Sequence, residues 1–220
     1  GSTAGSTVGE TFGRDGATLK ILEPSCGNGM FFGTCPDSVT DAQFVGVEMD
    51  PLTSQIAARL YPEVKVICSP FERASLPADY FDLVVGNVPF ADVRVVDESL
   101  PRYLRGTLHD YFICKSLTLT RPGGIVALIT STGTLDKKGG QVRRWLADRA
   151  DLVGALRLPS DAFTEIAGTQ VTTDVLFLQR RVGQGLRASR EWTESMEHTA
   201  EVPAAWGNVE DLTAQLNVYY

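Results

Sequence analysis

Histidine is nearly absent from this chain, with His109 and His198 the two imidazoles, and no Cys-x-x-Cys pair occurs among Cys26, Cys35, Cys68 and Cys114. A structural zinc ion therefore has no ligand set, and well-separated thiols fit a reducing compartment without disulfides. Long apolar runs are missing as well. Nothing approaches the roughly 20 residues that cross a bilayer, and the N-terminus lacks a basic segment followed by an apolar block, so the expectation is a soluble cytoplasmic protein with no membrane partner. Basic residues are also in deficit, with 20 Lys and Arg against 27 Asp and Glu for a net charge of -7. That balance excludes a surface that binds nucleic acid everywhere, because phosphate binding needs a basic footprint, but it leaves room for a local one.

What is present is a folded domain: 220 residues, 43% hydrophobic and 21% charged, enough for one sizeable core. The opening GSTAGSTVGETFGRDGA is rich in Gly, Ser and Thr without a period, which predicts a flexible leader over 1–18. A folded core domain is expected over 19–182 and a polar tail or truncated linker over 183–220. Seven short apolar runs, at 19–23, 43–49, 64–68, 81–87, 124–130, 151–158 and 172–179, read as strands. Helical spacing lies between them, in Ile56 and Leu60, in Leu108, Tyr111, Phe112 and Leu119, and in Val142, Trp145 and Leu146. Alternation of the two predicts an α/β fold of βαβ units, a mainly parallel sheet with helices on both faces.

After the first strand comes EPSCGNGMFFG, with Gly27, Gly29 and Gly33 at the turn into a helix. Such glycines let backbone approach a ligand closely. The spacing is not that of the dinucleotide fingerprint, and a glycine-rich turn is often only a turn. Glu48, at the end of the second strand, adds an acid able to accept both hydroxyls of a ribose, and the pair describes an adenosine site. Glu23 directs a second carboxylate at the same crevice, which suits a cationic ligand and repels a pyrophosphate. The fourth run, FDLVVGNVPFADV, stops on Asn87, Val88, Pro89 and Phe90. The bland alternative there is a strand-terminating turn.

LEPSCGNG, FVGVEMDP, FDLVVGNVPF and RPGGIVALIT, in that order, resemble the S-adenosylmethionine-dependent methyltransferases that act on the N6 amino group of adenine in DNA, and LVGALRLPSDAF with GTQVTTDVLFL extends the resemblance to about residue 180. The chain also resembles the methylase segment of very long mobile-element proteins that join a methylase to a helicase. The resemblance implies a doubly wound, Rossmann-like fold whose seven-stranded sheet has its last strand antiparallel. It implies S-adenosylmethionine as cofactor, contacted by Glu23, Pro24, Ser25, Cys26, Gly27, Gly29, Glu48, Met49 and Asn87, with Phe71 on its adenine ring. It implies a base-flipping, adenine-specific DNA methyltransferase in which Asn87, the Val88 carbonyl, Pro89 and Phe90 form the catalytic turn and Phe163 contacts the extruded base. Two departures stand out: Val88 occupies a position where the family has proline, and Pro70 a position where it often has an acid, leaving Ser69 or Glu72 as substitutes. Arg94, Arg102 and Arg105 after the fourth strand, and Lys137 and Lys138 with Arg143 and Arg144 after the fifth, are candidate DNA phosphate contacts, with solvated surface as the alternative. Other readings stay open: a methyltransferase of the same fold acting on a glutamine amide or RNA, or a non-catalytic cofactor-binding module of a larger DNA-processing protein.

Overall fold

Each of the seven apolar runs becomes a strand, and the seven pair into one sheet. In the computed structural model, which describes residues 18–91, 93–164, 171–183, 190–203 and 209–220, the first half of the chain runs β1 (Leu19–Glu23), α1 (Met30–Gly33), β2 (Ala42–Glu48), α2 (Pro51–Leu60), β3 (Lys65–Cys68) and β4 (Phe81–Asn87). The second half follows with α3 (Leu108–Leu119), β5 (Thr120–Ser131), α4 (Gly133–Asp136), α5 (Gln141–Ala147), β6 (Ala150–Leu158), β7 (Thr173–Arg180), β8 (Ser195–Pro203) and β9 (Val209–Asn217). The large sheet has the order β3-β2-β1-β4-β5-β7-β6. β1, β2, β3, β4 and β5 pair in parallel, and β7 lies antiparallel between β5 and β6. The seven-stranded, mainly parallel architecture with an antiparallel last strand thus stands as expected.

Burial on both faces explains why these strands are runs of Leu, Ile and Val and do not alternate with polar residues. Leu22, Phe81, Val84, Val126, Leu128, Leu176 and Leu178 are buried, and α3 packs over them so closely that every residue from His109 to Leu117 is buried. Asp50 starts α2 by accepting the Thr53 amide at 2.7 Å, with Pro51 at the first helical position. That helix turns differently from its apolar spacing. Ile56 and Leu60 are exposed, and Ser54 and Ala57 face inward, because small side chains let α2 approach the sheet.

The C-terminal segment departs from the expected polar tail. β8 and β9 form an antiparallel hairpin, preceded by the buried Trp192. The hairpin is tied to the domain through Asn217, whose Nδ2 donates to the Leu135 carbonyl at 2.9 Å and the Trp192 carbonyl at 2.8 Å, while its amide donates to Asp136. Arg143, 1% exposed, donates from below to the carbonyls of Thr193 and Thr134. Its strands carry Glu197, Thr199 and Glu201 among few large apolar groups, so composition conceals a hairpin held by polar anchors. Of the expected leader, residues 1–17 lie outside the described residues.

Candidate active site

Strand order reverses between β1 and β4, and crevices at such switch points, outside the carboxyl ends of the strands, are where α/β sheets bind ligands. The turns after β1 and β4 meet there. Ser25 Oγ donates to the Asn87 carbonyl at 2.9 Å, joining the glycine loop to the end of β4. Gly27 has φ +54°, and a methyl group on it would meet nothing within 4 Å, so this left-handed corner faces open space. Gly29, at φ +89°, has another cause in part: a Cβ there would lie 2.6 Å from the Tyr61 ring, and one on Gly33 would lie 2.4 Å from the Tyr61 hydroxyl. Tyr61 packing therefore gives both glycines a structural reason that the loop sequence does not display, in Gly29 beside its expected contact with the cofactor.

Glu48 braces the loop from the neighbouring strand. Its Oε2 accepts the Gly27 amide at 3.0 Å and its Oε1 the Asp50 amide at 2.8 Å, which holds the carboxylate at the crevice with lone pairs to spare. Met49 beside it is exposed. Glu23 ends β1 with 2% of its surface exposed, and among the described residues its Oε2 has no hydrogen-bond partner. Burial first, and the Glu48 charge second, raise its pKa to about 8. The same burial, aided by Glu23 and Glu48, pushes the Cys26 thiol up to about 12. Cys26 is thus a neutral packing residue with Phe32 and Val64, beside the buried Pro24. A Cβ on Gly86 would lie 3.3 Å from Glu23 Cγ, so a glycine before Asn87 makes room for that carboxylate.

At the end of β4 the side chains divide. Asn87, Pro89 and Phe90 are exposed, whereas Val88 is 2% exposed and belongs to the core. Its amide donates to the Ile129 carbonyl at 3.1 Å, a bond proline could not make. The valine therefore replaces ring stiffness with a hydrogen bond and a buried anchor. The turn is held from its far side by the Leu108 amide, which donates to the Ala91 carbonyl.

Other expected residues fall in different places. Phe71 is a core residue, 3% exposed, tilted against Phe112 at 4.8 Å between ring centres and lying beneath the Lys115 ammonium, which leaves little of its ring for a ligand. Phe163 is half-buried in the turn after β6. Lys137 is paired with Asp110, and Lys138 with Glu197 of the hairpin at 2.6 Å. Arg143 is buried and Arg144 lies 4.0 Å from Glu194. Members of this second basic cluster thus have partners within the fold, Arg143 in the interior and Lys138 and Arg144 in solvent-exposed pairs, and the hairpin that supplies Glu197 is one the sequence did not announce.

The first cluster, in contrast, lines a cleft. Arg94, Arg102 and Arg105, with Val95, Val96 and Tyr103, surround about 680 Å³ of space. The segment is pinned by a buried knot that no motif indicated. Asp97 accepts the Tyr111 hydroxyl at 2.6 Å, the Ser99 amide at 2.9 Å and the Lys115 ammonium at 3.2 Å. Burial pushes the Asp97 carboxyl up, but the hydrogen bonds from Ser99 and Tyr111 and the Lys115 charge outweigh it, and its pKa falls to about 2.

Residues 22–106 match a family of methyltransferase domains. The chain is 33% identical over 167 residues to defense against restriction protein B of Escherichia phage P1, covering 73% of this chain and 7% of that protein. It is 34% identical over 166 residues to the type II methyltransferase M.CvrRI of Paramecium bursaria Chlorella virus XZ-6E, covering 74% and 42%. It spans less than half the length of either. A putative class I S-adenosylmethionine-dependent methyltransferase of Listeria monocytogenes superposes with a TM-score of 0.66 at 19% identity, over 81% of this chain and 58% of that one.

Proposed function

Since this chain belongs to the S-adenosylmethionine-dependent methyltransferases and has DNA-modifying members of them as relatives, we propose that it methylates the N6 amino group of adenine in DNA. The crevice fits the cofactor on its own chemistry: a buried, unpartnered carboxyl oxygen on Glu23 and the Glu48 carboxylate 21 residues from the Gly27 amide it holds suit a cation bearing a ribose. In this reading Glu48 and Met49 hold the nucleoside end, Gly27 admits close backbone approach, and Glu23, Pro24, Ser25 and Cys26 form the wall beneath. S-adenosylmethionine supplies, when bound, an electrophilic methyl carbon on a positively charged sulfur.

The chain's own task is to present the amine. The N6 lone pair of adenine is delocalised into the ring, and an ordinary side-chain base does not remove its proton beforehand. Asn87 Oδ1 and the Val88 carbonyl accept the two amino hydrogens, which turns the nitrogen toward tetrahedral geometry. Two acceptors held at a strand end provide electrostatic preorganisation with little reorganisation on reaction. Phe90, 39% exposed, stacks on a base taken out of the duplex, and Phe163 closes on it from the turn after β6. Arg94, Arg102 and Arg105 take the phosphates leading to that base, a local footprint on a chain of net charge -7. The small share of the phage protein that this chain matches supports a methylase segment working within a longer protein.

The observation that carries the proposal is the exposure of Asn87 and Phe90 at the switch point, joined through Ser25 to the glycine loop. Tritium transfer from labelled S-adenosylmethionine to duplex DNA, total RNA and protein tests it, with the product identified by nucleoside digestion. Label should enter DNA as N6-methyladenine, and Asn87→Ala should lower transfer at least a hundredfold while donor affinity stays within a few fold. Label in RNA or in glutamine, or full activity in the variant, would refute the assignment.

A further inference from the structure

In the proposed mechanism the Glu23 carboxyl lies in the wall of a crevice suited to a cation and takes no part in presenting the amine, yet its position is costly for an acid. It is 2% exposed, its Oε2 lacks a hydrogen-bond partner among the described residues, and it packs against Gly86, the residue before Asn87. Among the described residues, the titratable groups facing it are the Glu48 carboxylate from β2 and the neutral Cys26 thiol from the loop after β1. A buried carboxyl with no donor, next to another carboxylate, takes its proton to become neutral. What would favour its ionised form is a positive charge entering the crevice, and the methyl donor has one at sulfur that its demethylated product lacks.

We propose that Glu23 selects the cationic donor over the neutral product, ionising as the donor binds and regaining a proton once the methyl group has left. The inference rests on the reading that S-adenosylmethionine occupies this crevice. Charges balance through the cycle. Binding exchanges the Glu23 proton, released to solvent, for the sulfonium charge. Transfer consumes that charge and frees one amine proton, and Glu23 takes up one proton from solvent, so the crevice ends as neutral as it began. The proximity of Glu23 to Gly86 puts the selecting group at the reacting end, where donor and product differ, and not at the ribose, where they are identical. Product then leaves a site that holds no carboxylate charge for it.

Calorimetry on the full chain, in buffers of different ionisation enthalpy between pH 6.5 and 9, tests this with S-adenosylmethionine and S-adenosylhomocysteine as ligands. Glu23→Gln, which keeps the shape, serves as the reference that cancels protons from the ligand's own amine. With the carboxyl half-protonated near pH 8, the native protein should release close to one more proton per donor bound at pH 7 than the variant does, and no more than the variant per product bound. Donor Kd should tighten about tenfold per pH unit up to about 8 and then level off, a slope set by one titrating group. Glu48→Gln should move that break to lower pH. Glu23→Gln should lower the preference for donor over product at least tenfold with its thermal unfolding intact. Equal proton release with both ligands, or donor binding with no release, overturns the selection by Glu23 and leaves the crevice reading standing. Absence of donor binding by the folded native protein at every pH overturns both.

Discussion

Removing the Asp97 carboxylate tests whether the basic cleft is built by a buried ion pair. Asp97→Ala strips the acceptor from three groups at once: the Tyr111 hydroxyl, the Ser99 amide and the Lys115 ammonium. Lys115 is 7% exposed and, among the described residues, would keep the Phe71 carbonyl at 2.7 Å and the faces of the Phe71 and Tyr111 rings. Stranding one member of such a pair costs about 3–5 kcal/mol, a large share of the roughly 5–15 kcal/mol that holds a domain together. Protonation is gentler. The depression of Asp97 from 3.8 to about 2 corresponds to about 2 kcal/mol, present above pH 4 and lost as pH falls through 2. Denaturant unfolding followed by circular dichroism should show the larger loss in Asp97→Ala at pH 7. The double variant Asp97→Ala, Lys115→Met should recover at least half of it, because the lone buried charge is gone. DNA affinity should fall at least fivefold in both variants, since residues 94–106 lose their anchor, while donor affinity stays within threefold. An Asp97→Ala protein less than 1 kcal/mol weaker than the native one, or a double variant no better than the single, would refute the reasoning.

Reversing charge with Arg102→Glu and Arg105→Glu should weaken duplex DNA binding and flatten its dependence on salt by about one unit of slope per lost phosphate contact; an unchanged slope in titrations from 50 to 200 mM salt would remove the cleft from the interface. Arg143→Met takes away the donor to the Thr193 and Thr134 carbonyls and should cost about 2–3 kcal/mol, since hydrogen bonds from charged groups are worth more than neutral ones. The same change should open the segment from about Arg190 onward to limited proteolysis, and native-like protection there would show that Arg143 does not hold the hairpin.

The alternation of seven short strands with helical spacing, the acid at the end of β2 and the stop on Asn87 were all legible because each depends on neighbours in sequence: burial on both faces demands apolar runs, and a strand end demands turn residues. The order of those strands then brings the glycine loop and the β4 turn to one crevice. Pairings between distant residues carry no such local mark. Nothing near Gly29 or Gly33 says that Tyr61 fills the space above them, nor near Lys138 that Glu197 will meet it. Apolar spacing placed Ile56 and Leu60 inward, and the fold turned Ala57 there because only a small side chain fits. Val88 is the sharpest case. Sequence alone marks a missing proline, whereas the folded chain shows a buried side chain and an amide bonded to Ile129, since which groups become hydrogen-bond partners is settled only when separate strands are laid side by side.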